Sequence, residues 1–124
     1  MKIQPDRAEG VNTITRLDAA QVWVGATGFG HSVLVPWQGE VRRWAPAHIE
    51  ELLPEHFEQA LALQPELVIF GSGARHRFAA PALMRCLIER RIGIETMDTA
   101  AACRTYNVLA SEGRNVLAAL LIEG

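Results

Sequence analysis

The chain has 124 residues, a net charge of −2 and 49% hydrophobic residues. This length suits a single domain, which buries roughly two-thirds of its unfolded surface and needs no disulfide or metal to fold. The charge is slightly negative and no basic block stands out, which argues against nucleic acid as the main partner.

The first ten residues are polar and include a proline and a glycine. They predict a loose lead-in over residues 1–10, followed by one domain over residues 11–124. This start lacks the apolar core of a signal peptide, and no apolar run approaches the roughly 20 residues of a membrane span. Cys86 and Cys103 have no metal-site or redox spacing, which favours two reduced thiols. We therefore expect a cytoplasmic protein without a direct membrane span.

Short alternating segments separated by turn residues occupy the first third of the chain. They predict four β-strands, at residues 13–17, 21–26, 31–35 and 40–44. Thr27–Gly30 is predicted as the turn between the second and third strands, because its glycines permit a tight reversal. The intervals leave no room for crossover helices, so this segment predicts an antiparallel meander.

From residue 45 onwards, helical patterns alternate with apolar strands. Helices are predicted at 45–53, at 54–63, from Pro81 and from Thr99, and strands at 66–70, 93–97 and 116–122. Pro54 suits a first helical position, where its missing amide hydrogen is not needed. Right-handed crossovers make strands joined in this way parallel. The fold class is therefore α/β: an N-terminal antiparallel meander packed with a C-terminal β-α-β-α-β unit, whose small, largely parallel sheet is flanked by helices.

The loops that follow two of these strands form a candidate ligand site. Ligands of open parallel sheets usually bind beyond the carboxyl ends of the strands, and loops 71–78 and 98–99 converge there if strands 66–70 and 93–97 are neighbours. Turn amides, a helix N-terminus and two arginines suit a carboxylate or phosphate. The candidate residues are Gly71, Ser72, Gly73, Arg75, Arg77, Asp98, Thr99 and Asn107. The alternative is that the glycines only shape a turn, that the arginines are solvated and that Asp98 and Thr99 cap a helix.

Catalytic and cofactor motifs are mostly missing from the sequence. The Gly-Ser-Gly turn is neither a dinucleotide fingerprint nor a P-loop. Ser72 and His76 suggest a nucleophile and a base, but the nucleophile-elbow pattern is missing. The four histidines are scattered. We expect no catalytic residue, no metal and no cofactor.

Four short motifs in the second half resemble those of a known family. They are Gly-x-Gly at 71–73, Met-x-Thr at 97–99, Thr-Tyr-Asn-x-Leu at 105–109 and Glu-Gly-Arg at 112–114. The pattern is similar to that of a domain-of-unknown-function family, which includes the mitochondrial complex I assembly factor 3, the adipogenesis-associated domain protein and small bacterial and archaeal members. The resemblance spans roughly residues 11–123. It implies an α/β domain with extra antiparallel strands, no agreed catalytic residues, and action through a partner.

The preferred functional interpretation is a non-catalytic module that helps to assemble or stabilise a protein complex. Aromatic side chains of the meander are expected to be exposed and to anchor the partner, because such residues dominate interface energetics. They are Trp23, Phe29, Trp37 and Trp44. A homodimer is a second expectation, since exposed meander edges can pair between copies. The alternative function is a small anionic-ligand binder or enzyme that uses the crevice between loops 71–78 and 98–99.

Overall fold

The structure is a computed structural model, and it describes residues 10–123. The predicted lead-in therefore lies outside the described residues, apart from Gly10. The strands are β1 (Ile14–Leu17), β2 (Val22–Val24), β3 (Thr27–Phe29), β4 (Val33–Val35), β5 (Arg42–Arg43), β6 (Leu67–Gly71), β7 (Gly93–Met97) and β8 (Val116–Leu120). The helices are α1 (Pro54–Ala62), α2 (Arg85–Glu89) and α3 (Thr99–Ser111), with 3₁₀ turns at Ile49–Glu51 and Pro81–Met84.

The strands form two sheets. β1, β2 and β3 make an antiparallel sheet of three strands, and a mixed sheet of five has the order β5-β4-β8-β6-β7. In the mixed sheet β6 is parallel to both β7 and β8, whereas β4 is antiparallel to β8. The predicted α/β class, with antiparallel strands beside a largely parallel unit, is confirmed.

The mixed sheet is covered on both faces, and this explains why its central strands are almost wholly apolar. Along β6, Leu67 and Ile69 point into one core, whereas Val68 and Phe70 point into the other. The first core also contains α3 and the small sheet, and the second contains α1 and α2. The carboxyl ends of β6 and β8 therefore lie between the two cores that cover the faces of the mixed sheet.

The four-stranded meander was the least accurate part of the prediction. Residues 27–29, expected as a turn, form β3, in which Phe29 pairs with Val22. The chain reverses instead at Gly25 and Ala26. β4 and β5 leave the meander and extend the large sheet, because Val33–Val35 is buried throughout and needs cover on both faces.

The helices predicted from Pro54 and from Thr99 are confirmed, whereas the other two predicted helical stretches are largely or partly replaced by 3₁₀ turns. α1 begins at Pro54, as expected. Only the 3₁₀ turn at Ile49–Glu51 forms within the helical stretch predicted at 45–53. The helix expected from Pro81 begins with a 3₁₀ turn and has only five α-helical residues, 85–89.

Trp44 is a core residue, so the expectation that it is an exposed interface anchor is wrong. It is 1% exposed, and its indole Nε1–H donates a hydrogen bond to the carbonyl oxygen of His56 over 3.1 Å. The rings of Phe57 and Phe70 pack edge-on against it, with centroid distances of 5.8 and 6.1 Å. Arg42 and Arg43 just before it are exposed, and the chain turns inward at Trp44.

Candidate functional site

The loops after β6 and β7 converge, as the sequence predicted. β6 and β7 pair in parallel, and two backbone hydrogen bonds tie their ends together. The amide of Ser72 donates to the carbonyl oxygen of Met97 over 2.8 Å, and the amide of Thr99 donates to that of Gly73 over 2.9 Å. Gly71–Gly73 and Asp98–Thr99 are therefore in direct contact.

Two glycines at this convergence allow close approach of neighbouring groups. A Cβ atom on Gly71 would lie 3.0 Å from the Cα and the Oγ1 of Thr99, so that a larger residue would push the start of α3 away from β6. Gly73 has φ +108°, and a Cβ there would lie 2.6 Å from the carboxyl carbon of Glu123. This backbone conformation and this close approach both favour glycine.

Thr99 and Asp98 fix the start of α3. The amide of Ala101 donates to Asp98 Oδ1 over 2.8 Å, which confirms the predicted N-cap. The buried hydroxyl of Thr99 accepts a hydrogen bond from the amide of Gly73 and donates one to the carbonyl oxygen of Leu121, each over 2.9 Å. Thr99 therefore joins the chain segments that follow β6, β7 and β8.

Ser72 shapes the loop and is not presented as a nucleophile. It is 1% exposed, and its hydroxyl donates to the carbonyl oxygen of Arg75 over 2.7 Å. The same oxygen accepts a hydrogen bond from the amide of Arg77 over 2.9 Å. Its hydrogen-bonding capacity is thus used to fold residues 72–77 back on themselves.

The amides of Ser72, Gly73 and Ala74, which the predicted anion site would use, already donate within the protein. The amide of Ala74 donates to Glu123 Oε1 over 2.9 Å, and Glu123 Oε2 lies 3.6 Å from His48 Nδ1. An external anion would have to displace this carboxylate. Arg77 Nη2 lies 2.7 Å from Glu50 Oε2. The hydrogen bond from Arg77 holds the pKa of the Glu50 carboxyl below its usual range. Arg75 is exposed and does not line the crevice.

A cavity of about 450 Å³ lies beyond the carboxyl ends of β6 and β8, and its charged groups are acidic. Asp18, Asp98 and Glu123 line it, and no arginine, lysine or histidine of residues 10–123 does. The amides of Ala20 and Gln21 donate to Asp18 and hold its pKa below the ordinary value. The cavity is therefore better suited to a positively charged group than to the anion we expected.

A second cavity, of about 260 Å³, continues along β1 and α3. It shares Leu17 and Ala100 with the first, and its charged groups are Arg16 and Arg104. Asn107 lies here and not at the predicted crevice.

The amide side chain of Asn107 is engaged by the backbone of β1. Its Nδ2 donates to the carbonyl oxygen of Ile14 over 2.7 Å, and its Oδ1 accepts from the amide of Ile14 over 2.9 Å. Asn107 therefore holds β1 against α3. Its position gives no support to the prediction that it belongs to the ligand site.

The three remaining aromatic candidates are half-buried, with different surroundings. Trp37 packs on the first core, and its Nε1–H donates to the carbonyl oxygen of Ala110 over 3.1 Å. Phe29 packs on the same core. Trp23 alternates away from its buried neighbours in β2, and the guanidinium carbon of Arg16 lies 4.6 Å from its ring centroid. Of the three, Trp23 is the one that does not pack against the first core.

Phe78 is an exposed aromatic side chain that the sequence prediction missed. It is 77% exposed, and its ring centroid lies 4.5 Å from that of His76. Arg75, His76 and Arg77 predict a polar loop over residues 74–78. The phenylalanine at the end of this loop was the one sign that an aromatic side chain could be exposed there. Phe78 directly follows residues 72–77, which the hydrogen bonds of the Ser72 hydroxyl hold in place.

Two ionisable side chains of α3, those of Cys103 and Tyr106, are buried in the first core. Burial raises the pKa of Cys103 to about 11 and that of Tyr106 above its ordinary value. The Tyr106 hydroxyl lies 2.9 Å from the carbonyl oxygen of Asn12 and 3.0 Å from that of Pro36, and it donates to one of them. Both side chains are neutral at physiological pH and act as core residues.

Comparison with known proteins agrees with the motifs. A family model described as "Protein of unknown function (DUF498/DUF598)" matches residues 14–121. The chain belongs to this family. It is 35% identical over 95 residues to the NADH dehydrogenase [ubiquinone] 1 alpha subcomplex assembly factor 3 of Bos taurus, a match that covers 75% of this chain and 50% of that protein. The chain thus spans about half the length of the curated relatives of this name.

Solved structures of two bacterial proteins share the fold over almost the whole chain. A crystal structure of a Bordetella parapertussis protein has a TM-score of 0.87 and 34% identity, and the match covers 94% of this chain and 99% of that one. An NMR structure of a Bordetella pertussis protein, described as an Mth938-like domain, has a TM-score of 0.86 and 30% identity, with coverage of 100% and 94%.

Two features are absent from the part of the chain that the structure describes. Residues 10–123 contain no group of three or more His, Cys, Asp or Glu side chains that could hold a metal ion. No helix in this part of the chain has the length and hydropathy needed to cross a membrane.

Proposed function

We propose that this protein works by binding another protein, as a module in the assembly of a multisubunit complex. The observation that carries the proposal is the 77% exposure of Phe78. A phenylalanine this exposed gains much by burial in a partner, and aromatic side chains often anchor interfaces. The name of the bovine relative, an assembly factor, supports the same role.

The surroundings of Phe78 favour binding at a low entropic cost. Two hydrogen bonds of the Ser72 hydroxyl fix the backbone just before it, at Arg75 and Arg77. The ion pair of Arg77 with Glu50 adds a tie to the neighbouring segment. A side chain presented by a pre-organised loop loses less conformational freedom when it binds.

The test is recovery of a partner by tagged protein from the cells that naturally express it, read by mass spectrometry. We expect one stoichiometric partner with the wild type and at least a tenfold loss with Phe78→Ala. Val108→Ala is the matched control, because Val108 is also a large exposed apolar residue, at 56%, on α3. A Trp23→Ala variant tests the remaining outward candidate of the small sheet. Equal recovery by wild type, Phe78→Ala and Trp23→Ala would contradict the proposal.

The non-catalytic and cytoplasmic character of the module is part of the same proposal. The non-catalytic part is supported by the Ser72 hydroxyl, whose hydrogen bonds are used within its own loop. The anionic-ligand alternative is less well supported, because Glu123 occupies the Ala74 amide. A rise of several degrees in melting temperature with millimolar phosphate or a dicarboxylate, lost in Arg75→Ala, would favour that alternative.

A further inference from the structure

The outer edge of β7 is the longest strand edge left open by the described part of the protein. β7 closes one side of the mixed sheet, and within residues 10–123 it pairs only with β6. Of the other edge strands, β5 has two residues, β3 has three and β1 has four. The side chain of Asn107 already bonds the amide and the carbonyl of Ile14 in β1. β7 has five residues, and an edge of this length can accept a further strand.

The backbone groups on this edge belong to Ile94 and Thr96. The carbonyl oxygen of Met97 accepts a hydrogen bond from the amide of Ser72, so the backbone groups of Met97 face the β6 side. Successive residues of a strand direct their amide and carbonyl groups to alternate sides, so those of Glu95 also face β6 and those of Ile94 and Thr96 face away. No group within residues 10–123 bonds to these four outward groups. They are therefore available to a strand of another molecule.

The side chains of β7 indicate what such a strand should carry. Ile94 packs against the second core and Met97 against the first, so an added strand would extend apolar surface on both faces of the sheet. Between them Glu95 is exposed, and it forms no ion pair with any residue from 10 to 123. Opposite charges at directly facing positions stabilise a pair of strands. The complementary sequence is therefore a lysine or arginine flanked by apolar or β-branched residues.

A second copy of this chain matches the edge less well. Two β7 strands related by a two-fold axis at Glu95 would use the outward groups of Ile94 and Thr96, but the two Glu95 carboxylates would lie opposite each other, which is destabilising. A register centred on Ile94 would need the amide of Ile92, which already donates to a carbonyl oxygen of α2 over 3.0 Å. A register centred on Thr96 would need the carbonyl oxygen of Asp98, which already accepts from an amide of α3 over 2.9 Å. The edge therefore favours a strand of different sequence.

We infer that the edge of β7 binds one β-strand of the partner protein, in the antiparallel direction, with a lysine or arginine opposite Glu95. The antiparallel direction follows from its slightly greater stability per residue. The partner residues on either side of the basic one then face Ile94 and Thr96 and exchange two hydrogen bonds with each. The inference rests on the proposed function, because it describes how part of the assembly partner is recognised.

Amide hydrogen exchange in the free protein shows whether the edge is open. We expect the amides of Ile94 and Thr96 to exchange at least a hundredfold faster than those of Glu95 and Met97, which face β6. The exchange is measured at a low and a high protein concentration. Slow exchange of Ile94 and Thr96 at both would show that the chain itself covers the edge, and slow exchange only at the higher one would assign the edge to a second copy. Either result would overturn the inference.

The probe is a blocked pentapeptide, Val-Thr-Arg-Val-Tyr, whose arginine would face Glu95 and whose threonine and second valine would face Thr96 and Ile94. It is titrated to about 5 mM into ¹⁵N-labelled protein, and we expect amide shifts centred on Ile94 and Thr96. Methylation of the backbone nitrogens of the threonine and the second valine removes the donors that face β7, and it should weaken binding at least tenfold. Methylation of the arginine and tyrosine nitrogens, which face away from β7, is the matched control and should change the affinity little.

A charge exchange tests the basic residue. Glu95→Arg should bind the original peptide at least fivefold more weakly and should prefer a peptide with glutamate in place of the arginine, and both effects should shrink as salt is raised. Glu40→Arg, an exposed carboxylate just before β5 on the opposite side of the sheet, is the control and should keep the original preference. Absence of shifts at about 5 mM, equal effects of the two methylation patterns, or an unchanged preference in Glu95→Arg would each contradict the inference.

Thr96→Pro extends the test to the natural partner. Proline removes the outward amide and is tolerated in an edge strand where that amide faces solvent. We expect at least a tenfold loss of partner recovery, whereas Thr96→Val, which keeps the amide, should recover the partner like the wild type. If Thr96→Pro lowers the melting temperature, Glu95→Arg takes its place with the same expected loss.

The outcome can be separated from that of the proposed function. If partner recovery depends on Phe78 but is unchanged in the β7 variants, the function stands and the edge inference fails. If no partner is recovered but the peptide binds with the expected methylation pattern, the edge is a strand-binding site and the assembly role fails.

Discussion

The side-chain amide of Asn107 and the backbone of Ile14 exchange two hydrogen bonds, over 2.7 and 2.9 Å. The two residues are 93 positions apart in the chain. Asn107 thus satisfies both polar groups of one residue of β1, as a neighbouring strand would. The small antiparallel sheet is fastened to α3 by a side chain as well as by apolar packing.

Replacement of Asn107 by alanine should therefore destabilise the protein. The variant leaves the amide and the carbonyl of Ile14 without their hydrogen-bond partner in a part-buried position. Each of these groups that water does not reach lowers the free energy of unfolding by about 1–3 kcal/mol. Urea unfolding measures the loss. Val108→Ala, at the exposed neighbouring position of α3, should stay within about 0.5 kcal/mol of the wild type. A loss no larger than that of the control would show that water replaces the amide without cost.

The elements that the sequence predicted well are those specified by local signals. α3 has a capping aspartate at Asp98, and β6 and β8 are apolar runs of the length of a buried strand. These features depend on neighbours within one turn or one strand, so they are legible in the sequence. The convergence of the β6 and β7 loops follows from them, because parallel strands end at the same edge.

The misses concern contacts between segments that are distant in the chain. β3 has only three residues, with Gly28 at its centre, so no alternation marks it. Trp44 becomes buried only because Phe57 and Phe70 arrive from other elements. Glu123 meets Ala74 across 49 positions, and no local pattern predicts that a carboxylate fills the expected anion site.

Thr99→Val tests the polar junction between the segments after β6, β7 and β8. Valine has a similar shape but cannot accept from the amide of Gly73 or donate to the carbonyl oxygen of Leu121. Both groups are buried, so we expect a loss of about 2–6 kcal/mol in the free energy of unfolding, from about 1–3 for each. Thr99→Ser keeps the hydroxyl and loses one methyl group, which costs about 1 kcal/mol. If valine and serine are equally destabilising, the hydroxyl is not the stabilising group.

Gly73→Ala should destabilise through two separable effects. The positive φ of 108° strains an alanine by about 1–3 kcal/mol, and its Cβ would press on the Glu123 carboxylate at 2.6 Å. Only the second effect depends on Glu123. A double-mutant cycle with Glu123→Ala should therefore show that Gly73→Ala costs less in the shortened background, with a coupling of about 0.5–3 kcal/mol. Strict additivity would mean that the carboxylate moves aside freely.

Cys103 should make the stability of the protein depend on alkaline pH. Burial raises its pKa from 9.0 to about 11, so the unfolded chain loses the thiol proton at lower pH than the folded chain does. The unfolded state is then favoured as pH rises from about 9 to about 11, whereas below about 9 both states keep the proton and this contribution is constant. A shift of this size corresponds to at most about 3 kcal/mol. Tyr106, whose pKa is also raised by burial, adds a loss of the same sign at higher pH.

The contribution of Cys103 is isolated by comparison with Cys103→Ala. Alanine lowers stability at every pH because it removes the buried sulfur, but it has no proton to lose. The difference in unfolding free energy between wild type and variant, measured with urea at about pH 7, 8 and 10.5, should stay nearly level between the first two values and shrink at the third. Cys86→Ala is the comparison at a less buried thiol, because Cys86 is only half-buried, although burial raises its pKa as well. A constant wild-type-to-variant difference up to pH 10.5 would mean that the thiol ionises alike in both states, and that Cys103 is reached by solvent in the folded protein.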